Sequence, residues 1–322
     1  MNKSLIYIIL VGLGLVIAYI ILGDFLTNEM KKDTKNPYAF DLREFDHVDA
    51  NMIKYKETKR IKLNTSDPKA IDYHEGLLAL TFKNKLQVID TSGRELFSKT
   101  ISTQSTAIHI SNSKLIYLGC KDHIKVFDLR GIEIKSWAPI DTNAYITSIA
   151  MKEDQLFVAN AGKPEIIRYS QNGEIEMRFD GTRQELSEFG FIVPSPYFDI
   201  KIDPDEQIWI ANTGLQNIQN YTSEGKLRAY WGNSGYNLED FTGCCNPAHF
   251  TILTDGSYVT CEKGLVRIKV YKPSGELDAV VAAPKDFDKN SEPLGLASDE
   301  LDNIYALDIT RNMIRKFERF ME

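Results

Sequence analysis

Along residues 196–227 the apolar and polar positions keep a short rhythm. Phe198, Ile200 and Ile202 alternate with Asp199, Lys201 and Asp203, the period-two pattern of a half-buried strand. Pro204, Asp205 and Glu206 supply a turn. The apolar run Ile208, Trp209, Ile210 then closes on Ala211, Asn212, Thr213 and Gly214, which predicts a second strand. Residues 218–221 predict a third, followed by Ser223, Glu224 and Gly225, where glycine accepts the positive φ of a tight hairpin. A fourth begins at Lys226.

The rhythm returns at residues 144–175, 247–277 and 293–317, the last copy stopping before its fourth strand. Residues 68–96 and 106–134 are more eroded copies that keep the late glycine turn, at Gly93 and Gly131. With Gly173, Gly225 and Gly275 these turns recur at about 40 to 50 residues, the period of propeller blades. Six copies predict an all-β chain folded as a six-bladed β-propeller. Residues 51–63 read as one more strand, and the sixth copy lacks its outer one. We therefore expect residues 53–63 to pair with residues 313–320, closing the ring so that no strand edge is left open.

The copies resemble NHL repeats. The resemblance rests on a strand opening with proline, a turn at aspartate or glycine, and an apolar run closing on Ala-Asn or Leu-Asp, and residues 196–227 and 293–317 carry it most fully, with Ala211-Asn212 and Leu307-Asp308. The resemblance spans roughly residues 65–320 and implies a fold more than an activity, because propellers host many functions.

Composition changes the picture at two points. A hydrophobic share of 43% and a charged share of 26% suit a globular chain, but a net charge of −7 and a pI near 5.4 argue against nucleic acid as a partner. They also give no electrostatic attraction to lipid headgroups. A membrane link would have to be hydrophobic, and residues 5–22 carry no charged side chain over a helical length of about 27 Å. No small-x-small cleavage site follows, which favours an uncleaved transmembrane anchor over a secretory signal. Lys3 and the amino terminus would hold that end in the cytoplasm against the competing Lys31 and Lys32, leaving the propeller extracytoplasmic. The expected organisation is an anchor over residues 1–26, a polar linker over 27–49 and the propeller over 50–322.

Aligned on their turns, the copies place Thr81, Cys120, Asn160, Asn212, Glu262 and Asp308 at the end of the second strand, with Cys261 in place of Glu262 if the register slips by one. One reading is that these side chains tie down the turns between strands. The other is a resemblance, in architecture and ligand type, to the gluconolactonase and senescence-marker-protein propellers, which hold a divalent cation at the channel. It implies Asn160, Asn212, Asp308 and Glu262 as hard oxygen ligands for calcium or magnesium. The motifs of that family do not match residue by residue. The peptidyl-hydroxyglycine lyases, also similar to NHL propellers, use histidines for zinc, and His47, His74, His109, His123 and His249 form no comparable spaced pair. Asp199 and His249 occupy corresponding places in consecutive copies and are expected to line the channel.

Residues 241–264 contain three of the four cysteines. Cys244 and Cys245 precede a strand and Cys261 ends the strand that returns beside it. This predicts a disulfide from Cys261 to Cys244 or Cys245, closing about 16 residues and stabilising by about 3 kcal/mol in the chain-entropy model. A bond between Cys244 and Cys245 is awkward, because adjacent Cα atoms lie only about 3.8 Å apart. The sharper alternative gathers Cys244, Cys245, Cys261 and His249 into a soft-metal or redox site. The insertions at 187–196 and 232–236 elaborate one mouth of the ring on a rigid scaffold.

There is no phosphate-cradling glycine loop, nucleophile elbow or dinucleotide fingerprint. Three functions therefore compete. The first is a membrane-tethered module binding a protein or small ligand at the mouth formed by residues 179–194 and 231–249. The others are a cation-dependent, lactonase-like hydrolase and a cysteine-based redox or metal accessory of a membrane complex. The binding module is favoured, because no catalytic set assembles in the sequence.

Overall fold

The computed structural model describes residues 3–30, 45–182 and 185–320. The chain divides into two compact units, Met1–Leu42 and Arg43–Glu322. In the first, Lys3–Met30 is one α-helix, with no proline to interrupt it. Among the described residues no helix is long and apolar enough to cross a membrane. Most of the expected linker, residues 31–44, lies outside the described residues.

The second unit is a six-bladed propeller of four-stranded antiparallel sheets. The first five blades occupy residues 68–100, 107–136, 146–179, 200–231 and 249–282; residues 295–319 make the inner three strands of the sixth. Within each of the first five blades the strands run outward in chain order, and a connector then returns to the inner strand of the next. Those inner strands, among them Pro68–His74, Ile200–Ile202 and His249–Ile252, ring the channel.

The ring closes as the pattern predicts. Tyr55–Lys62 forms the outer strand of the sixth blade, pairing antiparallel with Met313–Arg319 from Tyr55 opposite Arg319 to Lys62 opposite Met313. A bulge between Glu57 and Lys59 turns Glu57 toward Arg315, whose Nη2 donates to it at 2.8 Å. Burial opposes ionisation of Glu57, but Arg60 and Arg315 outweigh it and bring its pKa down to about 2.

The hydrophobic core is divided into clusters that lie between blades. Ile61, Leu78, Tyr305 and Ile314 join the last blade to the first, and Trp137, Tyr169, Ile149 and Tyr117 join the second to the third. The late glycines belong to these contacts. Gly173 has a φ of +86°, and a β-carbon there would lie 2.5 Å from Trp137 Nε1 of the preceding blade. Gly225 repeats the arrangement over Phe179, with a φ of +76°. The repeated glycine thus serves both the turn and the close approach of neighbouring blades.

Ile61 is a sensitive probe of closure, being 7% exposed in the seam between the last and first blades. Ile61→Ala is expected to destabilise the propeller by about 2–5 kcal/mol, read as a lower urea midpoint with an unchanged slope.

Candidate functional site

At the end of the channel where the inner strands begin lies a cavity of about 490 Å³, its wall including Tyr197, Asp199, Lys201, His249 and Glu292. A narrower chamber of about 190 Å³ continues the channel past Asp72, His109 and Thr251. Lys201 lines both, so it stands where they meet.

Two carboxylates shape this channel, and each joins one blade to the next. Asp199 Oδ2 accepts the Phe250 N–H at 3.2 Å and lies 3.4 Å from His249 Nδ1. Asp72 Oδ2 accepts the Ile110 N–H at 2.8 Å and lies 3.0 Å from His109 Nδ1. The first joins blades four and five and the second joins blades one and two, three blades away around the ring. Burial opposes ionisation of both. At Asp72 it is outweighed by His109, Lys201 and the Ile110 N–H; at Asp199, by Lys201, His249 and Ser148. Both carboxyls therefore titrate below the usual range and are ionised at neutral pH.

The wall beside His249 is built by connectors. The Tyr197 ring meets His249 edge-on at 5.5 Å, its hydroxyl donates to Glu292 at 3.1 Å, and the Lys263 ammonium lies 5.2 Å from its centre. Burial, then the Glu292 charge, push the Tyr197 hydroxyl well above the usual phenol range. Thr147 Oγ1 donates to the Phe198 carbonyl at 2.6 Å, fixing the start of the fourth blade's inner strand.

Of the residues singled out in the sequence, Asp199 and His249 line this cavity together. Asn160, Asn212, Glu262 and Asp308 are fully or almost fully buried; the first three hold connectors, and Asp308 holds the turn within its own blade. Asn160 Oδ1 accepts the Tyr145 and Gly162 N–H groups. Asn212 accepts from Ile192 N and donates to Gly190 O. Thr81 meets the Ser105 hydroxyl. Asp308 accepts from Arg311 N, and its other oxygen lies 3.7 Å from Arg315.

Glu262 is committed most fully. Its oxygens accept from Arg267 Nε at 2.7 Å, Lys269 Nζ at 2.8 Å and Thr242 N at 3.1 Å. Burial pushes the Lys269 amine down to about 8, against the pull of Glu262; the Leu238 and Asp240 carbonyls and the Phe241 and Tyr271 rings also hold it. Among the described residues no three His, Cys, Asp or Glu side chains converge as a metal site. Asn160, Asn212 and Glu262 use side-chain oxygens on backbone N–H groups of connectors, whereas Asp308 Oδ2 is buried without a hydrogen bond among the described residues.

The expected disulfide to Cys261 is not formed. All four cysteines are free thiols; Cys261 pairs across the hairpin with His249, and its fully buried sulfur accepts the Leu294 N–H at 3.2 Å. Burial pushes its thiol up to about 12. Cys244 and Cys245 instead face each other, sulfur to sulfur, at 3.2 Å. Lys201 was legible in the sequence as the residue two beyond Asp199 on the same strand face. Tyr197 and Glu292 were not, because they stand on irregular connectors.

No family model matches the sequence, and no curated protein does. Solved structures do match. A catalytically inactive variant of virginiamycin B lyase from Staphylococcus aureus with quinupristin is 15% identical, with a TM-score of 0.58 over 83% of this chain and 100% of that one. A streptogramin B lyase is 14% identical, with a TM-score of 0.58 over 83% and 98% of the two chains. A protein of unknown function from Bacteroides thetaiotaomicron is 12% identical, also at 0.58, over 80% and 72%. At these identities the likeness shows the propeller fold.

Two outcomes check this account. The stability that Asp72 and Asp199 supply through their depressed pKa values is present above about pH 4, the ordinary carboxylate value, and is lost as pH falls through the folded-state values. Acid unfolding curves of Asp199→Asn should show a smaller loss over that range than wild type. Glu262→Gln, which leaves Arg267 and Lys269 buried without their carboxylate, should cost about 3–5 kcal/mol in denaturant unfolding.

Proposed function

We propose that this chain is a membrane-anchored propeller whose channel mouth binds a small polar ligand. The observation that carries the reading is the cavity of about 490 Å³, within the size range of small-molecule sites and combining apolar walls with a few convergent polar groups. Asp199 and His249 are oriented by contacts between neighbouring blades, so this part of the polar face is set before any ligand arrives. Anchoring rests on the uncharged residues 5–22, whose helical length of about 27 Å approaches that of a bilayer core. The charge bias at Lys3 favours a propeller outside the cytoplasm.

A second reading has one observation in its favour. Asp199 holds Nδ1 of His249, while Nε2 has no hydrogen-bond partner among the described residues and the ring borders the cavity. An imidazole oriented in this way is equipped to take a proton from a bound substrate.

The test uses the full-length protein in detergent, screened by calorimetry against a panel of small polar metabolites. Lys201→Met and His249→Ala should each weaken a hit at least tenfold, while Thr254→Ala, in the loop after the fifth blade's inner strand, should not. Binding unchanged in both mouth variants refutes the reading, as does a hit displaced only by changes outside the channel. Turnover of the bound compound that disappears in His249→Ala would decide for the second reading. Extraction of the chain from membranes by alkaline carbonate would refute the anchor.

A further inference from the structure

We propose that Cys244 and Cys245 form a reversible dithiol–disulfide site on the rim of the channel mouth. The inference stands apart from the ligand reading and holds whether or not the cavity binds a small molecule.

Three observations carry it. The two sulfurs lie 3.2 Å apart, already in contact, and among the described residues no third thiol, imidazole or carboxylate converges on them as a metal site would require. Cys244 is exposed, whereas Cys245 is 4% exposed, so one thiol meets solvent reagents and the other waits behind it. The loop is clamped on both sides. Asn246 Oδ1 accepts the Lys263 N–H at 2.7 Å, Asn246 Nδ2 donates to the Lys263 carbonyl at 3.1 Å and to the Thr242 carbonyl, and Glu262 holds the Thr242 N–H. This tethering keeps the pair together without help from a covalent bond.

The surroundings connect the pair to the mouth. The buried Ser195 hydroxyl abuts Cys245, and the Lys263 ammonium acts on both Cys245 and the Tyr197 ring. Pro196 and Tyr197, which follow Ser195 directly, form part of the cavity wall, so the covalent state of the pair bears on that wall. Burial, and then the neighbouring thiol, hold the Cys245 proton on more tightly than usual, while Ser195 and Lys263 favour its loss.

The chemistry balances with a small-molecule disulfide as oxidant. The Cys244 thiolate attacks one sulfur of the oxidant, forming a mixed disulfide and releasing one thiolate. The Cys245 thiolate then attacks the Cys244 sulfur, forming the bond between the adjacent cysteines and releasing the second thiolate. Two electrons pass to the oxidant, and the two protons lost by the cysteines end on the two released thiols. Because adjacent Cα atoms lie about 3.8 Å apart, short of the usual disulfide range, the product is strained and readily reduced. It is suited to switching and not to stapling.

The test equilibrates the full-length protein in detergent with glutathione buffers of graded oxidised-to-reduced ratio, followed by acid quenching, thiol counting and peptide mass analysis. Wild type should pass from four free thiols to two, with the loss of two hydrogens confined to the peptide holding Cys244 and Cys245 and reversed by dithiothreitol. The rate should rise with pH as the thiols ionise. Cys245→Ser should stop at a stable glutathione adduct on Cys244, and Cys244→Ser should lose no pair of thiols. Four free thiols at every ratio, a persistent glutathione adduct on wild type, or a bond to Cys261 would each overturn the proposal. The wild-type measurement decides the matter even if a variant fails to fold.

Discussion

The architecture depends on one pairing, between Tyr55–Lys62 and Met313–Arg319. A propeller whose cores lie between blades loses an entire interface if its ring opens. Ile61, Leu78, Tyr305 and Ile314 would then face water on two separated surfaces. Residues nearly the whole propeller apart in sequence must meet before that interface forms. The apolar residues of the seam drive the contact, and the antiparallel ladder sets its register. Glu57 adds a fixed charge interaction where the bulge brings it to Arg315.

The same constraint organises the channel. Asp72 and Asp199 each accept a backbone N–H from the following blade, so they help fix the spacing of the ring. They also remain ionised, because His109, His249 and Lys201 compensate for burial. Structural linkage and channel chemistry are therefore properties of the same side chains. A carboxylate engaged in this way orients its histidine, which gives the mouth a defined polar face.

The second layer behind the mouth works differently. Asn160, Asn212 and Glu262 each meet the connector arriving from the preceding blade, and Thr81 meets the one leaving its own. Glu262 shows how far that role goes: with Arg267 and Lys269 it forms a fully buried charge cluster, closed off by carbonyls and aromatic rings. Such a cluster fixes the connector over residues 232–248. Cys244 and Cys245 sit on that connector, on a backbone held at both ends. A reactive pair can then occupy an exposed rim without loosening the blade beneath it.

Sequence by itself determined the repeat, its period, the six blades and the closing strand, because alternation of apolar and polar residues follows directly from the two-sided geometry of a strand. It also marked Asp199 and His249 as channel residues, and Lys201 could be reached by the same alternation. Only the tertiary structure decided what the second-strand residues do. Oxygen-bearing side chains suited to a cation are equally suited to backbone N–H groups, and the choice is made by connectors that carry no periodic signal. It likewise decided the cysteines. A hairpin pattern brings Cys261 near His249, but the contact of its sulfur with Leu294 N is set by packing against the sixth blade. Local pattern fixes which face a residue occupies; its neighbours across the ring fix which atom it meets.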